Sequence, residues 1–410
     1  MTRLFAAALL ALTATACQTQ QQTAALECGA NEAFLVCKLA GGSDEDCAHG
    51  HGAAAIGAAT QCYSLGREGR PEKDTDAGSS RGNYVVETVY YGTDRQASGP
   101  SSGPTFGTTR ADHLTFGEVG VSIPRDHRMG VLESPSIWRF EFREDPGKHL
   151  MVVRTSTLDG AAFWAAMRHD IQASARKSVL LFIHGFNVSF VDAARRTAQI
   201  AYDLGFDGAP VFFSWPSQGQ LSPLAYAADE QAIIDAQPHL AQFLRDILSQ
   251  SGADNVYLIA HSMGNRGLVH VLASLAASDP SEMKRIKAVI LTAPDIGTTE
   301  FTEQIAPGLL RLGAPVTLYA SSRDNALAAS EQWHHGARLG ESGIHLVVLD
   351  GIETIDASDA GTDLLGHSYY GGRTALSDMF YLIRDGLPAS RRCCLHSSSL
   401  QGRPYWVFMK

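Results

Sequence analysis

The sequence predicts an α/β fold on a mostly parallel sheet covered by helices on both faces. Two observations carry this expectation. From Lys177 onward, short continuous apolar runs alternate with stretches long enough for helices. That is the pattern of strands buried on both faces and joined by crossover helices. One run, residues 256–259, leads through Ala260-His261-Ser262-Met263-Gly264 into a helix-like stretch at 268–277. A serine between small residues at a strand-to-helix turn has its hydroxyl lifted clear of the backbone. The first small residue here is Ala260, where that turn usually carries glycine.

The N-terminal 82 residues read as lying outside the main fold. Residues 1–16 form an export signal: Arg3, an apolar run at 4–12, then Ala14-Thr15-Ala16 as a cleavage site. The apolar run is too short to span a bilayer. Cys17 resembles the acylated cysteine of bacterial lipoproteins, although Ala14 stands where that motif usually carries leucine. The resemblance implies a lipid anchor at Cys17 and a place in the cell envelope, at the outer membrane or in the periplasm. Plain secretion after Ala16 is the alternative. Residues 17–27 read as a tether. In 28–62, Cys28, Cys37, Cys47 and Cys62 predict two disulfides in one of three pairings. Each would contribute ~3 kcal/mol to a module too small for its own core. His49 and His51 flank Cys47 without a standard metal-ligand spacing, so no metal is expected. Residues 63–82 read as a linker.

The main domain is expected over 83–390. Its first part has β character at 84–91, 119–123, 137–142 and 150–154, interrupted by a Gly/Ser/Pro-rich loop at 96–109. Core strands are expected at 179–183, 211–213, 256–259, 288–291, 316–319 and 345–349. Helical spacing of apolar residues marks 190–204 and 238–248. Residues 391–410, with the adjacent Cys393 and Cys394, read as a tail. The whole chain has 410 residues, 45% hydrophobic and 19% charged, enough for one large core with small appendages. Its net charge of −10 argues against nucleic-acid binding.

In a parallel α/β sheet, chemistry gathers at the carboxyl ends of the strands. Ser262 follows the third of the six core runs. A serine hydroxyl needs a base to take its proton, and the base needs an acid to fix its tautomer. Asp295 follows the fourth run and Asp324 the fifth. The fifth is where a Ser–acid–His order most often places the acid, which favours Asp324. Asp295 is then expected as a helix cap or loop residue. His367 lies between the last run and the tail and is the expected base. His345, at the wrong end of its run, and His334, His335 and His396 fit less well. An oxyanion needs two backbone donors. Met263 follows the serine. The loop after the first core run, His184-Gly185-Phe186-Asn187, offers Phe186, with Gly185 expected to permit the turn. His184, Trp215 and His261 fall at the same edge as pocket candidates, with packing in the serine turn the favoured reading for His261. For Trp215, a buried aromatic plug is the equal alternative.

These residues together carry a family resemblance. Tyr91-Gly92-Thr93-Asp94-Arg95, residues 182–187, 213–217, 260–265, 293–295, 322–327 and 366–369 are similar to the bacterial α/β-hydrolases long filed as a domain of unknown function, often called esterase/lipase superfamily enzymes. The resemblance spans roughly 84–388. It implies the α/β-hydrolase fold and Ser262, Asp324 and His367 as a triad, with no cofactor. The expected activity is cleavage of a small-molecule or lipid carboxylic ester through an acyl-enzyme. A lipase, phospholipase or acyltransferase would use the same triad. The alternative of another class is a non-catalytic envelope binding protein on this scaffold.

Overall fold

The computed structural model describes residues 83–135, 144–278, 281–360, 367, 369–392 and 395–408. The expectations for the export signal, Cys17, the cysteine module, the strand at 137–142 and Cys393-Cys394 lie outside these residues.

The described strands form one sheet. They are β1 (Tyr84–Ser98), β2 (Thr105–Pro124), β3 (Met151–Leu158), β4 (Ser178–Ile183), β5 (Gly208–Ser214), β6 (Asn255–His261), β7 (Ile286–Thr292), β8 (Val316–Ala320), β9 (Ile352–Asp356), β10 (Leu395–Leu400) and β11 (Arg403–Phe408). Their spatial order is β10-β11-β9-β8-β7-β6-β4-β5-β1-β2-β3. The ladders from β1 through β5, β4, β6, β7, β8 and β9 to β11 are parallel, and antiparallel hairpins close both edges. With the helices that flank it, this is the α/β-hydrolase fold.

The helices that position the site are α1 (Gly160–Ala173), α2 (Phe190–Asp203), α3 (Pro223–Gln250), α4 (Gly264–Ser278), α5 (Asn325–His334) and α6 (Arg373–Asp385). Alternate strand residues point to opposite faces. Val179, Leu181 and Ile183 of β4 join Phe163 of α1, Ile233 and Phe243 of α3 and Leu272 of α4 in one core. On the other face, Phe182 stacks near Tyr370, and Phe212 of β5 meets Phe190 of α2. Ser189 caps α2 by accepting from the Asp192 amide, and Ser222 caps α3 by accepting from the Ala225 amide.

Four boundaries differ from expectation. The apolar run 345–349 is not a strand. It starts on the last residue of a 3₁₀ turn, Gly343–His345, and packs Leu346 and Val348 beside Ala320, while the alternating segment Ile352–Asp356 pairs with β8. An apolar run says that a segment is covered, not that it pairs. Helix α3 begins fifteen residues before the expected Pro238, and Pro238 lies on its exposed face. There, water can take the carbonyl left without a partner. The loop between β1 and β2 is shorter than 96–109, because pairing continues to Ser98↔Thr105. Finally, the expected tail is part of the sheet: β11 pairs in parallel with β9, and the buried Phe408 ring stacks near Tyr319.

Candidate active site

Strands β6, β7 and β8 end side by side, and each delivers a polar residue to the same edge. Ser262 directly follows β6, with φ of +52°. A non-glycine residue held there is strained, and surrounding bonds must fix it. The Ser262 amide donates to the Thr292 carbonyl at 3.0 Å, while the Asn265 side-chain amide donates to the carbonyls of Ser262 and Thr292 at 3.0 and 3.2 Å. Helix α4 starts at Gly264, two residues later. Gly185 packs directly on this turn: a Cβ there would lie 2.7 Å from Ser262 Cβ. Close approach therefore requires this glycine, not the turn chemistry expected of it. The left-handed residue of the loop is Asn187, with φ of +58°.

Asp324 follows β8 and does two things at once. Its Oδ1 accepts from the Ala326 and Leu327 amides at 3.1 and 3.0 Å, capping α5. Both of its carboxylate oxygens also lie against His367 Nδ1, at 2.9 and 2.8 Å. The helix-cap role expected of Asp295 thus belongs to Asp324, together with the contact to histidine.

These features, a strained serine at a strand-to-helix turn and a histidine held by the aspartate two strands on, sit on a fold with a family match. The chain matches the model for alpha/beta hydrolases of unknown function (DUF900) over residues 160–385. It belongs to that family. It is also similar to an uncharacterized protein, alr1448, of Nostoc sp. (strain PCC 7120 / SAG 25.82 / UTEX 2576), at 24% identity over 272 residues, which is 52% of this chain and 70% of the relative. The DUF900 match takes in the Ser262 turn, both aspartates and His367, and leaves β1–β3 and the C-terminal hairpin outside.

Asp295 is held quite differently. Its Oδ1 accepts from Ser330 Oγ at 2.6 Å and Arg338 Nε at 2.8 Å; its Oδ2 accepts from Tyr226 at 2.6 Å and faces Arg266 at 3.3 Å. Burial alone would raise its pKa, but the guanidiniums of Arg266 and Arg338 outweigh this and hold the carboxyl well below the ordinary range. His334, at the end of α5, faces Glu230 at 2.9 Å beside this cluster.

The three pocket candidates are buried. Trp215 is 0% exposed; its ring stacks on His184 at 5.0 Å and its indole N–H donates to the His184 carbonyl at 2.8 Å. His184 is buried, and burial first, then the nearby Arg95 charge, lowers its pKa to about 3. His261 is buried as well, and its pKa lies well below the ordinary value because of desolvation and then His367. Its neutral ring stacks on Tyr370 at 4.1 Å, and its Nε2–H donates to the His367 carbonyl at 3.1 Å.

Sequence reasoning missed two buried charges, Arg95 and Asp229, that brace the same loop through Ser217. Arg95, in β1, donates to the carbonyls of Val188 (2.9 Å), Ser217 (3.1 Å) and Gly107 (2.8 Å). Asp229 accepts from Ser217 Oγ at 2.5 Å and the Gln218 amide at 2.8 Å. Asp94-Arg95 stood in the resemblance without a role. A charged residue within a strand, followed far along by an aspartate in a helix, carries no sequence signal that both bond to one loop. Among the described residues, no group of His, Cys, Asp and Glu could hold a metal ion, and no helix is long and apolar enough to cross a membrane.

Proposed function

We propose that the protein is a serine hydrolase that cleaves carboxylic esters through Ser262, His367 and Asp324. The observation that carries this reading is the seat of His367: Nδ1 against both oxygens of a buried carboxylate. That contact fixes a proton on Nδ1 and leaves Nε2 as the basic nitrogen. In the reaction, His367 Nε2 takes the Ser262 hydroxyl proton as Oγ bonds to the ester carbonyl carbon. The oxyanion is received by the amides of Met263 and Phe186, and α4 points its positive end the same way. The tetrahedral intermediate expels the alcohol, which leaves with the proton from His367. Water then adds to the acyl-enzyme with His367 again as base, releasing the acid and restoring Ser262.

A lipid ester as substrate is favoured by exposed apolar side chains. The three most exposed large apolar side chains among the described residues are Ile344 (95%), Leu224 (86%) and Leu221 (73%). Leu221 and Leu224 stand where the chain leaves β5 for α3. Ile344 sits beside Gly343, whose Cβ position lies 3.8 Å from Ser322 Cβ in the loop carrying Asp324. An anchor at Cys17 would hold such an enzyme at the envelope membrane, and intact-mass analysis of membrane fractions tests that part. The test of the activity is turnover of nitrophenyl esters of graded chain length. Wild-type protein is expected to turn over and Ser262→Ala to lose the activity. A wild-type protein inert to every ester sinks the reading and leaves a binding protein on a hydrolase scaffold.

A further inference from the structure

Arg95 makes one further bond that its bracing role does not need. Its Nε donates to Ser214 Oγ at 2.9 Å, and Ser214 Oγ lies 3.3 Å from His184 Nε2. On the far side of the same ring, His184 Nδ1 lies 2.9 Å from the Gly185 carbonyl. The proton positions along this chain follow from elementary inventory. A carbonyl oxygen only accepts, so Nδ1 carries the proton and donates to Gly185. A neutral ring has one proton, so Nε2 accepts, and its donor is the Ser214 hydroxyl. A guanidinium only donates, so the Ser214 oxygen is the acceptor for Arg95 and its proton is committed to His184. Every member of the chain has one role open to it, and Arg95 sets the direction.

The consequence reaches the reacting edge. In a planar trans peptide, the carbonyl and the following N–H point in opposite directions. Turning the Gly185 carbonyl toward the His184 ring turns the Phe186 N–H away from it. Gly185 itself is packed on Ser262. The ring cannot rotate to offer another nitrogen, because it is stacked on Trp215 and the His184 backbone is tied to the same indole.

We infer that Arg95, Ser214 and His184 form a positioning relay that holds the Gly185–Phe186 peptide in its oxyanion-binding orientation, acting on the rate through the backbone without touching substrate. The kinetic consequence rests on the ester-hydrolase reading; the relay itself does not. Two measurements therefore separate them. The first is the imidazole ¹⁵N spectrum of the full-length protein. His184 is expected as the neutral Nδ1–H tautomer from about pH 5 to about pH 8, a range in which an ordinary imidazole titrates. In Ser214→Ala the Nε2 resonance is expected to shift, because that nitrogen loses its hydrogen-bond donor. An Nε2–H tautomer or an imidazolium in the wild type overturns the relay whether or not the protein turns over esters.

The second is steady-state kinetics. Loss of one oxyanion donor lowers kcat by ~10²–10³, and Ser214→Ala is expected to approach that fall with KM little changed. His184→Asn keeps an N–H near the position of Nδ1 and is expected to recover most of the rate, whereas His184→Leu is not. Equal rates for those two variants, or a Ser214→Ala enzyme with wild-type kcat, would overturn the relay. A wild type inactive on all esters removes the ester-hydrolase reading while the tautomer still decides the relay.

Discussion

Asp295 and Asp324 follow neighbouring parallel strands, β7 and β8, and both are buried at the same edge of the sheet. Their surroundings differ in kind. Asp295 meets two arginines, a tyrosine and a serine, so each of its oxygens already has two partners. Asp324 has two backbone amides and one imidazole. Position and burial are therefore shared, and the partners decide the chemistry. A carboxylate locked by fixed cations is a structural ion cluster. One that orients an imidazole can answer a charge that comes and goes.

Substitution should split the pair. Asp324→Asn removes the acceptor that sets the His367 tautomer and is expected to lower kcat by roughly 10⁴, measured on nitrophenyl esters per folded molecule. Asp295→Asn is expected to leave most of that rate in place, while destabilising the fold by about 3 kcal/mol, because Arg338 loses its carboxylate and Arg266 keeps only Glu230, measured by denaturant unfolding. A reversed pattern would exchange the two roles.

A third buried charge sharpens the contrast by its opposite pH dependence. His127 lies between Asp203 and Glu133, at 2.8 Å from each. Burial alone disfavours its imidazolium, but the hydrogen bonds to Asp203 and Glu133 prevail and raise its pKa from 6.5 to about 9. A raised histidine pKa contributes stability that is fully present below 6.5 and lost as pH rises through about 9. The depressed pKa of Asp295 contributes stability present above the ordinary carboxylate value and lost only as pH falls through its depressed folded pKa. Thermal midpoints are thus expected to fall between pH 6.5 and 9 in the wild type, and to fall less in His127→Gln. Parallel slopes would contradict the assignment. The smallest effect is expected for Tyr226→Phe, which removes one bond to the Asp295 carboxylate and costs about 1.5–3 kcal/mol with kcat unchanged, read by the same unfolding and ester assays.

Much of this edge was legible because chain order and strand order coincide from β6 through β9. The runs at 179–183, 256–259, 288–291 and 316–319 are buried on both faces and could only be central strands. That fixed which residues follow the third, fourth and fifth of them. The sixth was misplaced because residues 345–349 are more apolar than the strand after them, Ile-Glu-Thr-Ile-Asp. The C-terminal hairpin was missed because an edge strand reading Leu-His-Ser-Ser-Ser-Leu has the composition of a loop. The arginines around Asp295 come from α4 and from the segment after α5. Arg95 comes from the far side of the sheet centre. Such pairings are set by packing across the chain, and single-sequence periodicity does not report them.

Ser262 is the proposed nucleophile, and the most direct measurement is to map its reactivity. Full-length protein is treated with a fluorophosphonate, digested and sequenced by mass spectrometry. One adduct is expected, on Ser262, absent from Ser262→Ala and much slower to form in Asp324→Asn than in Asp295→Asn. A wild type that takes up no probe, or a Ser262→Ala protein labelled as fully as the wild type, would contradict that assignment.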